Sequence, residues 1–437
     1  MAWLMHDQRD KPRRALLCAV QLPSVDDAEL EGSLVELRRL ARTLGIEVVG
    51  QTSQRRASFD AGAYLGKGKR EELKARIEAG EADTLLIDHE VSPSQARNLE
   101  KDTGADVMDR TAVILDIFHR HANSRAAKAQ VEMVRLEYMA PRMREAASEN
   151  NTEGRQGGAP GGRGAGESGM ELDRRKIRDR IAELAKELES MDRERQTQRA
   201  RRSNMPRVAL VGYTNAGKST LMRALTASDV YVADKLFATL DTTVRQLLPE
   251  TSPKILMSDT VGFIKKLPHG LVASFKSTLD EALEASLLAH VIDASDANFE
   301  QQLEVTETVL REIGAGEVPR LMVFNKIDRL SAGDRESSGS EPEAAKRAAL
   351  LAKWPDAMVI SAKREADVAA LRERFVAFFN AAREEAELAI PFDKQAVRAE
   401  IHASCEVLDE AWDEHGARLR VRAEPATLAR IKQRLEA

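Results

Sequence analysis

Gly212-Tyr213-Thr214-Asn215-Ala216-Gly217-Lys218-Ser219 sets a glycine at each end of a short loop, then a lysine, then a hydroxyl. That spacing is what a phosphate cradle needs. Glycine lets backbone N–H groups turn inward where a side chain would collide, and a helix starting there adds its positive dipole end. The apolar run RVALVG precedes the loop and LMRAL follows it, so strand and helix stand where the motif requires them. Lys218 is expected at the β- and γ-phosphate oxygens and Ser219 on a magnesium ion. Downstream, Asp259-Thr260-Val261-Gly262 closes the apolar run KILMSD. Asp259 suits the magnesium, through a water, and the Gly262 amide suits the γ-phosphate. By itself this tetrad is common; at a strand end beyond a phosphate loop it carries weight.

Asn325-Lys326-Ile327-Asp328 addresses the base. Guanine presents two adjacent donors, N1–H and the exocyclic amine, and a carboxylate at Asp328 accepts both. Adenine would present an acceptor and leave a buried charge unpaired, at about 1.5–3 kcal/mol for each charged hydrogen bond lost. Ser361-Ala362-Lys363, after the run AMVI, completes the base pocket. The expected ligands are therefore GTP and GDP. A first switch must lie between Ser219 and Asp259 and bring a hydroxyl to the magnesium. Phe237-Ala238-Thr239-Leu240-Asp241-Thr242-Thr243 offers three threonines; Thr239 is preferred, with Thr242 and Thr243 as surface-loop alternatives. Lys218, Thr239 and Gly262 are thus the residues expected to act on the γ-phosphate.

Phe263 stands where many signalling GTPases carry a water-orienting glutamine. An apolar side chain cannot hold a nucleophilic water, so slow hydrolysis is expected, with a partner or a potassium ion completing the site. Asn215 is either a ligand of that cation, as in related GTPases, or a brace within the loop; the two readings weigh equally.

These loops need rigid elements beneath them. The runs RVALVG, KILMSD, LAHVID, RLMVFN and AMVIS read as strands of an α/β domain over residues 205–386, interrupted by a polar insertion at Ser331–Glu343. Upstream, ALLCAVQL, IEVVGQT and DTLLID alternate with helical patterns, including Leu34, Leu37, Leu40 and Leu44 closed by Gly45, and Val107 stands near a last short strand. Residues 1–110 therefore read as a small parallel α/β domain. Residues Thr111–Ser148 read as one long helix, kinked or ended at Pro141. Gly154–Gly169 is too rich in glycine for regular structure. Beyond it, Ile177, Ile181, Leu184, Leu188 and Met191 form an apolar seam. The segment 111–204 is then a helical hairpin, and its second helix carries Arg174, Arg175, Lys176, Arg178 and Arg180, with Arg199, Arg201 and Arg202 at its end. On residues alone, an ordinary solvated face paired with nearby glutamates is the plainer account of those cations. Residues 387–437 form a small α+β domain, a strand-turn-strand at EVLDEAWDEHGARLRVRAE and a helix from Pro425. Gly66-Lys67-Gly68-Lys69 could mark a second nucleotide site, though a helix start is the plainer reading.

The 437 residues exceed one ordinary domain. Hydrophobic residues at 43% suffice for real cores, and 31% charged residues give a solvated surface. A net charge of −5 does not exclude nucleic acid, because local basic segments decide that. Cys18 and Cys405 lack metal-ligand spacing and imply no disulfide framework, and no run is apolar enough to span a membrane. A cytoplasmic monomer is expected.

The assembled motifs resemble the HflX family of ribosome-associated GTPases over nearly the whole chain. GYTNAGKST, FATLD, DTVGF, NKID and SA match the family's GTP-binding elements. More specific are Gly164-Ala-Gly-Glu-Ser-Gly-Met-Glu-Leu-Asp173-Arg174-Arg175, similar to the family's glycine-rich stretch between two long helices, and YLGKGKREEL. Ala165 and Thr242 stand where the family usually has proline. The resemblance implies hydrolysis of GTP with Mg²⁺ and binding to the large (50S) ribosomal subunit, with the upstream domain and hairpin reaching ribosomal RNA. It further implies a part in ribosome recycling, rescue or biogenesis. The competing class is a GTP-gated scaffold for a membrane or signalling partner, which the lack of an amphipathic basic helix at the termini weakens.

Overall fold

The computed structural model describes residues 13–153, 169–200, 205–227, 236–237, 239–240, 243–266, 276–330, 343–381 and 383–436. Four strands form the first sheet: β1 (Arg14–Gln21), β2 (Glu47–Arg55), β3 (Thr84–Ile87) and β4 (Asp106–Asp109), ordered β2-β1-β3-β4 and all parallel. β1 lies inside, so nearly every one of its residues is buried, as an unbroken apolar run requires. Helices α1 (Asp27–Thr43), α2 (Lys67–Glu78) and α3 (Pro93–Thr103) make the crossovers. Asp26 caps α1 by accepting from Glu29 N at 2.7 Å, and Leu34, Leu37 and Leu40 face the core. Gly66 is the N-cap of α2, so the Gly66–Lys69 segment is a helix start.

The stretch from Thr111 is two helices, a correction to the single helix expected there. α4 (Arg110–His121) ends at Ala122, whose backbone is extended, and α5 (Arg125–Glu153) starts where Ser124 Oγ accepts from Ala127 N at 3.1 Å. The serine cap satisfies one of the amides that a new helix start leaves without an intrahelical partner. α5 then passes through Pro141 without ending. Beside that proline, Arg142 stacks on Tyr138, 3.5 Å from its ring centre, and bonds Asp109 at 3.0 Å and Val91 O at 2.8 Å. α6 (Gly169–Ala200) packs along α5, with Leu184 buried in the seam and Arg180 paired to Glu132 at 2.9 Å. Residues 154–168, 201–204 and 331–342 lie outside the described residues, so the glycine-rich segment, Arg201, Arg202 and nearly all of the polar insertion are among them.

The central sheet runs β10-β9-β8-β5-β7-β6, built from β5 (Arg207–Gly212), β6 (Thr243–Gln246), β7 (Leu256–Asp259), β8 (Leu287–Asp293), β9 (Arg320–Asn325) and β10 (Met358–Val359). All pairs are parallel except β6 with β7, an edge hairpin whose polar TVRQ gives no apolar signal. Helices α7 (Lys218–Thr226), α8 (Lys276–Leu283), α9 (Phe299–Glu312), α10 (Glu343–Lys353) and α11 (Glu365–Ala381) flank it. The chain leaves β5 toward β6 and β7 and later crosses to β8 and β9. β5 is therefore the switch point, and its carboxyl end is where such sheets bind ligands. The last sheet is antiparallel, β11-β13-β12, from β11 (Glu384–Pro391), β12 (Glu406–Asp413) and β13 (Gly416–Ala423), covered by α12 (Gln395–Ser404) and α13 (Pro425–Glu436).

One buried cluster crosses from the first sheet's helices into the central domain. It joins Leu37, Leu40, Phe118 and Val131 to Tyr213, Leu236, Phe237, Leu240, Val261 and Ile264.

Candidate functional site

The loop after β5 carries Tyr213, Thr214, Asn215 and Ala216 to Gly217, the N-cap of α7. Gly217 has φ of 101°, and a Cβ there would lie 2.3 Å from Asn325 Nδ2, so a side chain is excluded twice over. Asn325 closes this contact by donating to Ala216 O at 2.9 Å and accepting from Ala362 N at 2.9 Å. One asparagine thereby ties the phosphate loop to the base pocket. Lys326 bonds Asn215 O and pairs with Asp293 at 2.8 Å. Ser361 donates to Asp328 Oδ1 at 2.7 Å, its own amide held by Asp367 at 2.7 Å, and Lys363 lies 3.7 Å from Asp328. Ile327 is buried beneath the pocket. The Asp328 carboxylate is thus oriented by a hydroxyl, which suits the base contact expected of it.

Lys218 donates to Gly212 O and Tyr213 O at 3.0 Å each, at the start of α7. Burial drives its pKa down to about 8, with Asp259 opposing that fall. An arriving triphosphate would reverse the shift by supplying the missing counter-charge.

Ser219 Oγ, Thr239 Oγ1 and Asp259 Oδ2 converge. Ser219 is 2.7 Å from Thr239 and 2.8 Å from Asp259, and Thr239 is 3.0 Å from Asp259. Burial raises the Asp259 pKa against Lys218, and its Oδ1 is buried with no hydrogen-bond partner. Hard oxygen donors around a desolvated carboxylate suit Mg²⁺, which keeps waters and phosphate oxygens as its other ligands. The residues present fit the ion. Of the three candidate threonines, Thr239 is in this cluster. Thr243 starts β6, while Thr242, Ala238 and Asp241 lie outside the described residues. Phe237 and Leu240 are buried beside Thr239.

The chain after Asp259 lies against the phosphate loop. Thr260 Oγ1 donates to Leu210 O at 2.8 Å. Phe263 N donates to Gly212 O at 3.1 Å and Thr214 N donates to Phe263 O at 2.8 Å. A Cβ on Gly262 would meet Thr214 and Lys218 Nζ within 2.9 Å, so glycine alone fits. Phe263 is buried in the core formed by Val211, Leu288 and Leu310, so it holds no water at the phosphate.

Family comparison reads the same way. Models described as GTP-binding GTPase N-terminal, GTP-binding GTPase middle region and 50S ribosome-binding GTPase match residues 31–119, 121–202 and 207–326. A GTPase HflX from Gluconacetobacter diazotrophicus is 52% identical over 97% of this chain and 98% of its own length. The chain belongs to the HflX family of GTPases. The HflX of Caldanaerobacter subterraneus is 40% identical over 98% of this chain and 94% of its own, and that of Escherichia coli 42% over 75% and 76%. Among solved structures, a GTP-binding protein from Sulfolobus solfataricus with GDP is 25% identical, covering 84% of this chain and 99% of that one at a TM-score of 0.43. This HflX-family chain is a GTPase, and the 50S ribosome-binding GTPase match spans the phosphate loop, Asp259–Gly262 and Asn325–Lys326.

Three site residues were not legible in the sequence: Asp293, Asp367 and the hydroxyl of Tyr213. Asp293 ends the strand LAHVID, a position that favours a functional acid at a sheet's carboxyl edge. Asp367 gives no linear signal.

Proposed function

We propose that this GTPase binds the large (50S) ribosomal subunit and uses GTP hydrolysis to time its release, in ribosome recycling, rescue or biogenesis. Full-length similarity to HflX GTPases carries the reading, together with the match of residues 207–326 to a 50S ribosome-binding GTPase. The exposed cations of α6 agree with it in part. Lys176 and Arg180 are engaged by Asp173 and Glu132, so their support for an RNA contact is weaker than a bare basic face would give.

In the proposed mechanism Lys218 holds the β- and γ-phosphate oxygens, and the N-terminus of α7 faces them. The Gly262 amide hydrogen-bonds the γ-phosphate, and Asp328, with Ser361, Ala362 and Lys363 around it, holds guanine. Ser219, Thr239 and Asp259 would hold Mg²⁺, which would supply positive charge against the negative charge that develops on the phosphates. Water attacks the γ-phosphorus, the bond to the β-bridging oxygen breaks, and GDP and phosphate leave. No side chain of the Gly262–Phe263 turn orients that water, so basal turnover is slow, and the ribosome, or a K⁺ for which Asn215 would be a ligand, would complete the site. We place the protein in the cytoplasm as a monomer; among the described residues no helix is long and apolar enough to cross a membrane.

Sedimentation with 50S subunits tests the reading. Co-sedimentation with a non-hydrolysable GTP analogue should exceed that with GDP by about tenfold, the scale of an ordinary nucleotide switch. Equal recovery in both states would refute it.

A further inference from the structure

Arg110 is the largest fully buried side chain among the described residues, and it lies where the N-terminal domain meets the G domain. Its guanidinium bonds Glu36 Oε2 at 2.7 and 2.8 Å and Lys265 O at 3.3 Å. The other Glu36 oxygen accepts from the hydroxyl of Tyr213, the residue after the first glycine of the phosphate loop. That same hydroxyl accepts from Lys265 N at 2.7 Å. Both sides of Lys265 are therefore held, its amide by Tyr213 and its carbonyl by Arg110. The next residue, Lys266, sits at φ of 56° and pairs with Asp88 of the N-terminal domain at 2.7 Å. Ser33 in turn donates to Asp88 at 2.7 Å.

A buried arginine is costly unless it is paired and hydrogen-bonded, and hydrophobic residues would stabilise this interface as well. The arrangement instead gives geometric definition to one peptide of the chain that follows Asp259–Gly262, here the second switch, three residues past the glycine assigned to the γ-phosphate.

We infer that Glu36 and Arg110 are positioning residues for GTP hydrolysis, acting across the domain boundary through the Tyr213 hydroxyl and the Lys265 backbone to hold the Gly262–Phe263 turn against the phosphate loop. The inference rests on the role assigned to Gly262. Phe263 is anchored on both its amide and its carbonyl to Gly212 and Thr214, and Lys265, two residues on, is anchored to Tyr213 and Arg110, so losing the second anchor leaves the turn after Gly262 held at Phe263 alone. A catalytic amide displaced by a fraction of an ångström loses its bond to the transition state before it loses the ground state. The expected signature is a loss in the chemical step, with nucleotide affinity retained.

Tyr213→Phe in the full chain removes only the bridging oxygen. Single-turnover hydrolysis should fall about tenfold, the cost of one misplaced hydrogen bond, while affinities for fluorescent GTP-analogue and GDP stay within about twofold. Glu36→Gln keeps an acceptor for Tyr213 but loses the charge that orients Arg110, so it should fall less. Combined with Tyr213→Phe it should add little, since both act on one element. A rate within about twofold of the parent, a faster rate, a loss shared equally by the affinities, or full additivity in the double variant would each overturn the inference. Gly262→Ala separates the two layers. Its Cβ would crowd Lys218 Nζ at 2.9 Å, so unchanged hydrolysis in that variant would remove the role of Gly262, whatever Tyr213→Phe does.

Discussion

At the scale of single residues, chemistry and spacing carry most of the site. Lys218, Ser219, Asp259, Asn325 and Asp328 are named by motif, and folding brings each to the carboxyl edge of the central sheet. The orientation of those groups was not legible. Asp328 is aimed by Ser361 and Ser361 by Asp367, a relay between loops far apart in the chain. Asp328→Asn keeps the size but offers one acceptor and one donor in place of two acceptors. GTP affinity should fall by at least about tenfold, with xanthosine triphosphate becoming the better ligand, because its C2 carbonyl accepts where guanine donates. Competition of the two nucleotides against a fluorescent guanine probe measures this, and unchanged GTP preference would contradict the assigned base contact.

At the scale of elements, apolar period identified the buried strands, and polar or short pieces escaped. β6 pairs at an edge, β11 alternates charged and apolar residues, and α4 separates from α5 at a serine cap that competes with helix continuation. Burial within strand β8 also makes stability depend on pH. His290 lies mid-strand, 1% exposed, and burial lowers its pKa to about 3, with Arg320 and Lys218 adding to the effect. The unfolded chain takes up that proton near pH 6.5 and the folded one does not, so folding loses free energy as pH falls from 6.5 toward 3. Between pH 7 and pH 5 this residue alone should cost roughly 2 kcal/mol. Urea unfolding of the parent and of His290→Leu at both pH values checks it. The variant should show a flatter dependence, and parallel curves would show the histidine to be charged inside the sheet.

At the scale of the whole molecule, Glu36, Arg110 and Phe118, from the part of the chain before α5, touch three loops of the candidate nucleotide site. Tyr213 belongs to the phosphate loop, Phe237 of the first switch packs edge-on against Phe118 at 4.6 Å, and Lys265 belongs to the second switch. His121 also reaches Phe237 O at 2.8 Å. A partner that moves the N-terminal domain should therefore disturb the proposed site. With Phe263 turned into the core, turnover of the isolated protein should be slow and should rise at least about tenfold on adding 50S subunits, K⁺ or both. Rates compared in KCl and NaCl, with and without subunits, decide it; four equal rates would mean that the site is complete as it stands.

The sequence by itself determined the GTPase class, the motif residues that meet at one edge of the central sheet, the parallel sheets and the existence of the hairpin. Those follow from local rules: glycine where backbone must approach phosphate, a carboxylate where guanine donates, apolar runs where strands are buried on both faces. The tertiary structure alone decided how the units communicate. Glu36, Arg110, Tyr213 and Lys265 are scattered over more than two hundred positions and carry no common motif. Only packing one domain on another excludes water around them, and that desolvation makes four ordinary polar side chains and backbone groups into one bonded network.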